Sequence, residues 1–212
     1  MIKKVLVLAT CMVFLLAGAA QADFLQLGGS YSSIPYSVVN GNLVTEGGGS
    51  IDVSYLNGSQ LSYLYCVDLF KTVYPSSNYP STVVNNAGFI YGSLLTNAGQ
   101  VAWLLSNYGT AGQGSEAIAL QAAIWNVING DAVYRLDAAS PQYGLYRDYL
   151  TALGTNSGNV GDFLWITPGT SDVAGQLTQY QGLVGITVPE PGVLTLLGIG
   201  LIALGITRRR LK

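Results

Sequence analysis

The sequence predicts an α+β domain. Short aromatic and β-branched runs, punctuated by glycine and asparagine turns, occupy residues 24–70 and 163–188. Between residues 97 and 153 the apolar spacing changes to three and four, the helical period. The helical block is inserted whole between the two strand blocks, so the expected architecture is an antiparallel sheet or β-sandwich-like part carrying an inserted helical subdomain.

In chain order, residues 33–39 and 51–56 alternate in part, and Asn40-Gly41 and Asn57-Gly58 are turn dipeptides. Gly47-Gly48-Gly49 reads as a flexible connection. Residues 61–70 are aromatic, β-branched and nearly uncharged, as expected of a central strand covered on both faces. Ser62, Leu64, Cys66, Asp68 and Phe70 would share one face of it. Residues 71–79 read as loop, with Pro75 and Pro80 nearby. A helix is expected over 97–108, with Val101, Leu104, Leu105 and Tyr108 as its stripe and Gly109 as its stop. The clearest helix is 116–129, with Ser115 as N-cap and Glu116 in the first turn, where the helix dipole favours an anion. A third helix is expected over 141–153, a strand over 163–167 and a last strand over 177–188.

The two ends of the chain have a different character. Lys3 and Lys4 precede an apolar run that ends in Ala20-Gln21-Ala22, a small-x-small cleavage site, so residues 1–22 read as a signal peptide. Residues 193–207 form a 15-residue apolar run followed by Arg208, Arg209, Arg210 and Lys212. That is short against the roughly 20 residues of a spanning helix, and the basic cluster places its far side in the cytoplasm. The expected precursor is exported and held in the inner membrane by this C-terminal helix, with residues 23–188 as one extracellular domain.

That domain carries ten acidic and three basic side chains, a net charge of −7, which disfavours nucleic acid as a partner. The chain has no histidine, so imidazole-based catalysis and the commonest metal ligand are excluded. No metal site, cofactor or turnover chemistry is expected. A hydrolytic enzyme is the weakest class, since no carboxylate pair is identifiable as a glycosidase couple.

Cys66 is the single cysteine outside the signal segment, so it has no internal disulfide partner. Gln121 stands within the apolar stripe Ala117, Ile118, Gln121, Ile124, Trp125 and Ile128. A buried amide must be hydrogen-bonded or suffer a desolvation penalty of roughly 1–3 kcal/mol. Gln121 is therefore either a structural amide tying helix to sheet, or the partner of the Cys66 thiol in an internal thioester formed with loss of ammonia.

Two resemblances bear on these features. Val188-Pro189-Glu190-Pro191, the apolar helix and Arg208-Arg209-Arg210, in that order, resemble the PEP-CTERM sorting signal of Gram-negative bacteria. The resemblance implies processing by a membrane protease, the exosortase, and a mature form at the cell surface or in the extracellular matrix. Tyr65-Cys66, the Val101-Ala102-Trp103-Leu104-Leu105 segment and Leu120-Gln121-Ala122-Ala123-Ile124-Trp125 look like the thioester domain of bacterial surface adhesins. That resemblance implies a thioester-domain-like fold and adhesion by covalent capture. An amine or hydroxyl on a surface polysaccharide or protein would attack the Gln121 carbonyl, with Cys66 leaving. Leu120 stands where that family usually has threonine, and a sorting tail replaces the cell-wall anchor. Tyr65 and Trp125 would shield the bond from water, although ordinary core packing accounts for Trp125 equally well. Asp68 would orient an amine, or is simply a solvated strand-end carboxylate. The alternative is a non-covalent structural or carbohydrate-associated surface protein with a free, buried Cys66.

Overall fold

The structure, a computed structural model, describes residues 22–188. The expected signal peptide up to Gln21, the sorting-motif residues Pro189, Glu190 and Pro191, the apolar run expected to form a helix and the basic tail lie outside the described residues.

Six strands close into an antiparallel barrel in the order β1 (Asp23–Gln26), β4 (Tyr55–Leu56), β5 (Ser59–Cys66), β13 (Leu183–Thr187), β10 (Leu164–Thr167) and β6 (Asn78–Asn85). The fold is α+β as expected, but the sheet is a closed barrel and not sandwich-like. The difference lies in β1, which pairs with β4 on one side and β6 on the other. The sheet thus returns on itself, although the short β4 covers only the first two residues of one side of β5. β6 forms despite Pro80: the β1–β6 register slips between Asp23↔Thr82 and Leu25↔Tyr79, placing the proline at the bulge, where no ladder N–H is required.

Outside the barrel, β2 (Ser30–Val39) and β3 (Asn42–Asp52) form a long hairpin. They turn at Asn40-Gly41, whose φ values of 49° and 81° suit the two left-handed positions of a tight hairpin. β9 (Tyr134–Leu136) adds a third strand beside β2. Gly47-Gly48-Gly49, expected to be a flexible connection, is instead part of β3.

The helices are α1 (Ala98–Tyr108), α2 (Ser115–Asn129) and α3 (Tyr143–Leu153). Gly114, and not Ser115, takes the N-cap position of α2. Residues 117–126 of α2 are all buried, more than a one-sided stripe allows. The reason is its position: α2 packs against α1 and α3 as well as β2, β3, β5 and β9. Gly48 permits the closest of these approaches. A Cβ there would collide with the Ile34 side chain and lie 2.8 Å from Gln121 Cγ.

The expected central strand over 61–70 ends at Cys66, and the expected last strand over 177–188 is two, β12 (Leu177–Gln179) and β13.

Gly48→Ala is expected to lower unfolding stability by about 1–3 kcal/mol through overpacking. Gly144→Ala should raise it by roughly 0.5–1 kcal/mol, since Gly144 lies within α3 with open space where a Cβ would go. Urea unfolding of the two variants checks both signs.

Candidate functional site

β5 is flanked unequally. β13 pairs along it from Leu61 to Cys66, but β4 pairs only with Ser59 and Gln60. Beyond Gln60, the backbone groups on the β4 side have no strand laddered to them, although β3 passes close by. Unpaired buried N–H and C=O groups are costly, and individual groups from elsewhere replace the ladder. Ser54 O accepts from Leu61 N–H at 2.9 Å. Ser50 Oγ accepts from Leu64 N–H at 3.1 Å and donates to Asp52 Oδ1 at 2.7 Å.

Gln121 completes the series. Cys66 N–H donates to Gln121 Oε1 at 2.9 Å, and Gln121 Nε2 donates to Cys66 O at 2.8 Å. The primary amide thus stands in for one peptide unit of the missing strand. Gln121 is fully buried, and Cys66 is 4% exposed. Two residues 55 apart in sequence are joined as the apolar-face glutamine suggested, although the joint is made to the Cys66 backbone.

The Cys66 thiol is free and buried. Burial, with a smaller contribution from the Asp68 charge, pushes its pKa up from 9.0 to about 12. At neutral pH it is a protonated thiol, a weak nucleophile. Among the described residues no cluster of potential ligands could hold a metal.

The other expected site residues separate. Trp125 is buried one turn after Gln121 and lines a cleft of about 100 Å³ together with Cys66, Glu46 and Gly47. Its ring meets Tyr134 edge-on at 5.4 Å, and its Nε1–H has no acceptor among the described residues. Tyr65 is fully buried, but its hydroxyl donates to Thr110 O at 2.7 Å and it does not line that cleft. Asp68 lies beyond the end of β5, not on the strand face with Cys66. Its carboxylate accepts from Phe70 N–H at 2.8 Å and from the Tyr91 hydroxyl at 2.8 Å. It lines a separate groove of about 290 Å³.

Sequence reasoning missed Ser50, Gly48 and Glu46. A glycine run between strand-like segments does carry a signal, the close approach of another element. A lone serine as ladder substitute and a cleft-lining glutamate carry none.

Comparison with known proteins bears on the C-terminus. The profile of the PEP-CTERM protein-sorting motif matches residues 187–210, which include Val188, Pro189, Glu190, Pro191 and the arginine cluster. No curated protein and no solved structure matches the chain. The comparisons therefore provide no support for the likeness to thioester domains or adhesins.

Gln121→Leu should lower stability by roughly 2–4 kcal/mol, because two backbone groups of Cys66 would each lose a buried partner; urea denaturation measures it. Alkaline pH should also destabilise the fold. Below pH 9 the Cys66 thiol is protonated in both states. Above it the unfolded chain ionises first, so stability falls until the native pKa near 12. Tyr63, raised from 10.0 to about 12 by burial, acts in the same direction. One such group contributes up to about 1.4 kcal/mol per pH unit. Unfolding curves of wild type and Cys66→Ala from pH 8 to 11 should show the shallower loss in the variant.

Proposed function

We propose that this chain is an exported, exosortase-processed protein whose domain over residues 23–188 acts at the cell surface or in the extracellular matrix as a non-covalent structural or carbohydrate-associated module. The PEP-CTERM motif supports the sorting. The non-covalent reading rests on one observation: both polar ends of the Gln121 amide are engaged by the Cys66 backbone, at 2.9 and 2.8 Å. An amide that completes a strand ladder already accounts for a buried glutamine. A thiol whose pKa is raised by burial behaves as a small apolar side chain.

The same two hydrogen bonds favour a second reading, the internal thioester. They hold the Gln121 carboxamide on the residue that carries the thiol, and Cys66 N–H polarises the carbonyl that a nucleophile would attack. In that step Cys66 Sγ bonds to Gln121 Cδ, the C–N bond breaks, and the thiol proton leaves with the nitrogen as ammonia. Capture then adds an amine or hydroxyl of a surface target to Cδ and returns Cys66 to the thiol, with no turnover. Trp125, beside Cys66 at the cleft, would limit hydrolysis.

Intact mass of the purified domain, with Cys66→Ala as control, separates the readings. The non-covalent reading expects the full unmodified mass and a thiol that alkylates once the domain is unfolded. A mass short by one ammonia in the wild type alone, converted to an adduct by methylamine, would replace it with the covalent one.

A further inference from the structure

The sheet β3–β2–β9 has two outer edges, and only one of them is capped. On β9, Tyr134 N–H donates to Gly130 O at 2.9 Å, and Tyr134 O accepts from Asn126 Nδ2 at 2.8 Å, so α2 and its C-cap glycine engage that edge. On β3, Asn42, Leu43 and Thr45 are exposed, and the strand becomes buried only from Gly48. Among the described residues, no hydrogen bond other than those to β2 reaches the backbone between Leu43 and Glu46.

The turn fixes which groups are open. Asn42 pairs with Val39 across Asn40-Gly41, so the backbone groups of Asn42, Val44 and Glu46 point to β2 and those of Leu43 and Thr45 point outward. Such an edge is kept single by a lysine, a proline, a bulge or a covering segment. Asn42-Leu43-Val44-Thr45-Glu46 has no lysine and no proline, and the neighbouring bulge, at Pro35 and Tyr36, lies on β2. Leu43 is 61% exposed.

We infer that this edge pairs with the same edge of a second copy of the chain, antiparallel about a two-fold axis at Val44. Leu43 of each copy exchanges both backbone hydrogen bonds with Thr45 of the other, so every outward group of the stretch is satisfied and two sheets become one. The stretch suits itself. Its outward residues sit symmetrically about Val44, and its single charge, Glu46, falls opposite Asn42 of the other copy and not opposite Glu46. A shallow concavity of about 410 Å³, formed by Pro35, Tyr36, Leu43, Val44 and Thr45, opens along the edge. Leu43 of the second copy, opposite Thr45, is the side chain placed to fill it. A foreign strand gains no selection by charge, since the stretch presents only Glu46. The contact is small against a standard interface of about 1,600 Å², so the dimer is weak, with a dissociation constant of about 10–500 µM. The inference adds a partner to the surface reading above without depending on it, and it holds whether or not a thioester forms.

The test is sedimentation velocity on the processed chain purified from expressing cells, from about 5 µM to about 1 mM. The expected result is a reversible monomer–dimer shift. Leu43→Lys, which puts a charge on the edge, should weaken it about tenfold and leave urea unfolding unchanged. Thr45→Pro, which removes an outward N–H and leaves the β2 ladder intact, serves if Leu43→Lys does not fold. Air oxidation reads the register, with wild type, whose Cys66 is buried, as control. In Val44→Cys the new thiols face each other at a Cα separation of about 4.5 Å, within disulfide reach. In Leu43→Cys they lie about 9 Å apart, beyond it. Val44→Cys should therefore form the covalent dimer and Leu43→Cys should not. Equal disulfide yields at the two positions, or a dimer unchanged by both edge variants, would overturn the inference. A monomer across the whole range would also overturn it. Slow hydrogen exchange at the Leu43 and Thr45 amides of that monomer would assign the edge to another part of the same chain, and fast exchange would leave it open to a foreign strand. Intact mass of the same samples reads the thioester question independently, so either proposal can fail without the other.

Discussion

The unpartnered side of β5 is the constraint around which the centre of the molecule is organised. A barrel strand cannot bury backbone N–H groups without acceptors, and β4 is too short to supply them beyond Gln60. Ser54, Ser50 and Gln121 fill the gap from three different places in the chain. Each imposes a further demand. To deliver its amide, α2 must come within contact of β3, which requires glycine at 48. To carry glutamine that deep, α2 must be enclosed on all sides, which places small residues such as Ala117, Ala119, Ala122 and Ala123 along it. The helix composition, the glycine run and the buried amide are thus parts of one solution.

The same arrangement sets the chemistry available to Cys66. Enclosure by α2 buries the thiol and holds it protonated, which suppresses disulfide exchange and oxidation. It also places Cys66 among the lining of a small cleft that includes Glu46, Lys71, Thr72 and Gln181. A domain with few charges and no histidine has little other means of recognising a ligand than aromatic faces, hydroxyls, amides and isolated carboxylates, and the cleft gathers several of them.

Much of this organisation is readable in the residues themselves. All three helices carry the 3.6-residue period, and the structure places them within two residues of where that period suggests, because the signal depends on local spacing. The Asn-Gly turns are equally local. Gln121 is conspicuous because a long polar side chain interrupts an apolar face, and the structure gives it a partner at Cys66. Other features depend on pairing between distant segments, which alternation does not encode. Nothing in Asp23–Gln26 says that four residues will bridge two strands and close a barrel. Pro80 hides β6, since its place at a bulge is visible only once β1 is alongside. The end of β5 at Cys66 is likewise set by where β13 begins, at Leu183, with only the bond from Val67 N–H to Gly182 O continuing past it, and so the aromatic run to Phe70 looks longer as a strand than it is.

The position of β13 in the barrel order also governs when the domain can become complete as the chain emerges. Leu183 is the residue that pairs with Cys66, and Leu183–Thr187 fills the space between β5 and β10. A chain emerging from its N-terminus delivers every other barrel strand first. Until the final strand arrives, β5 lacks its longer neighbour and the thiol at its end has not reached its enclosed setting. The enclosure of Cys66 is therefore begun by α2 and completed only by the last strand of the described chain. The match to the sorting motif begins at residue 187, the last residue of that strand, so the strand that completes the barrel runs directly into the sorting motif.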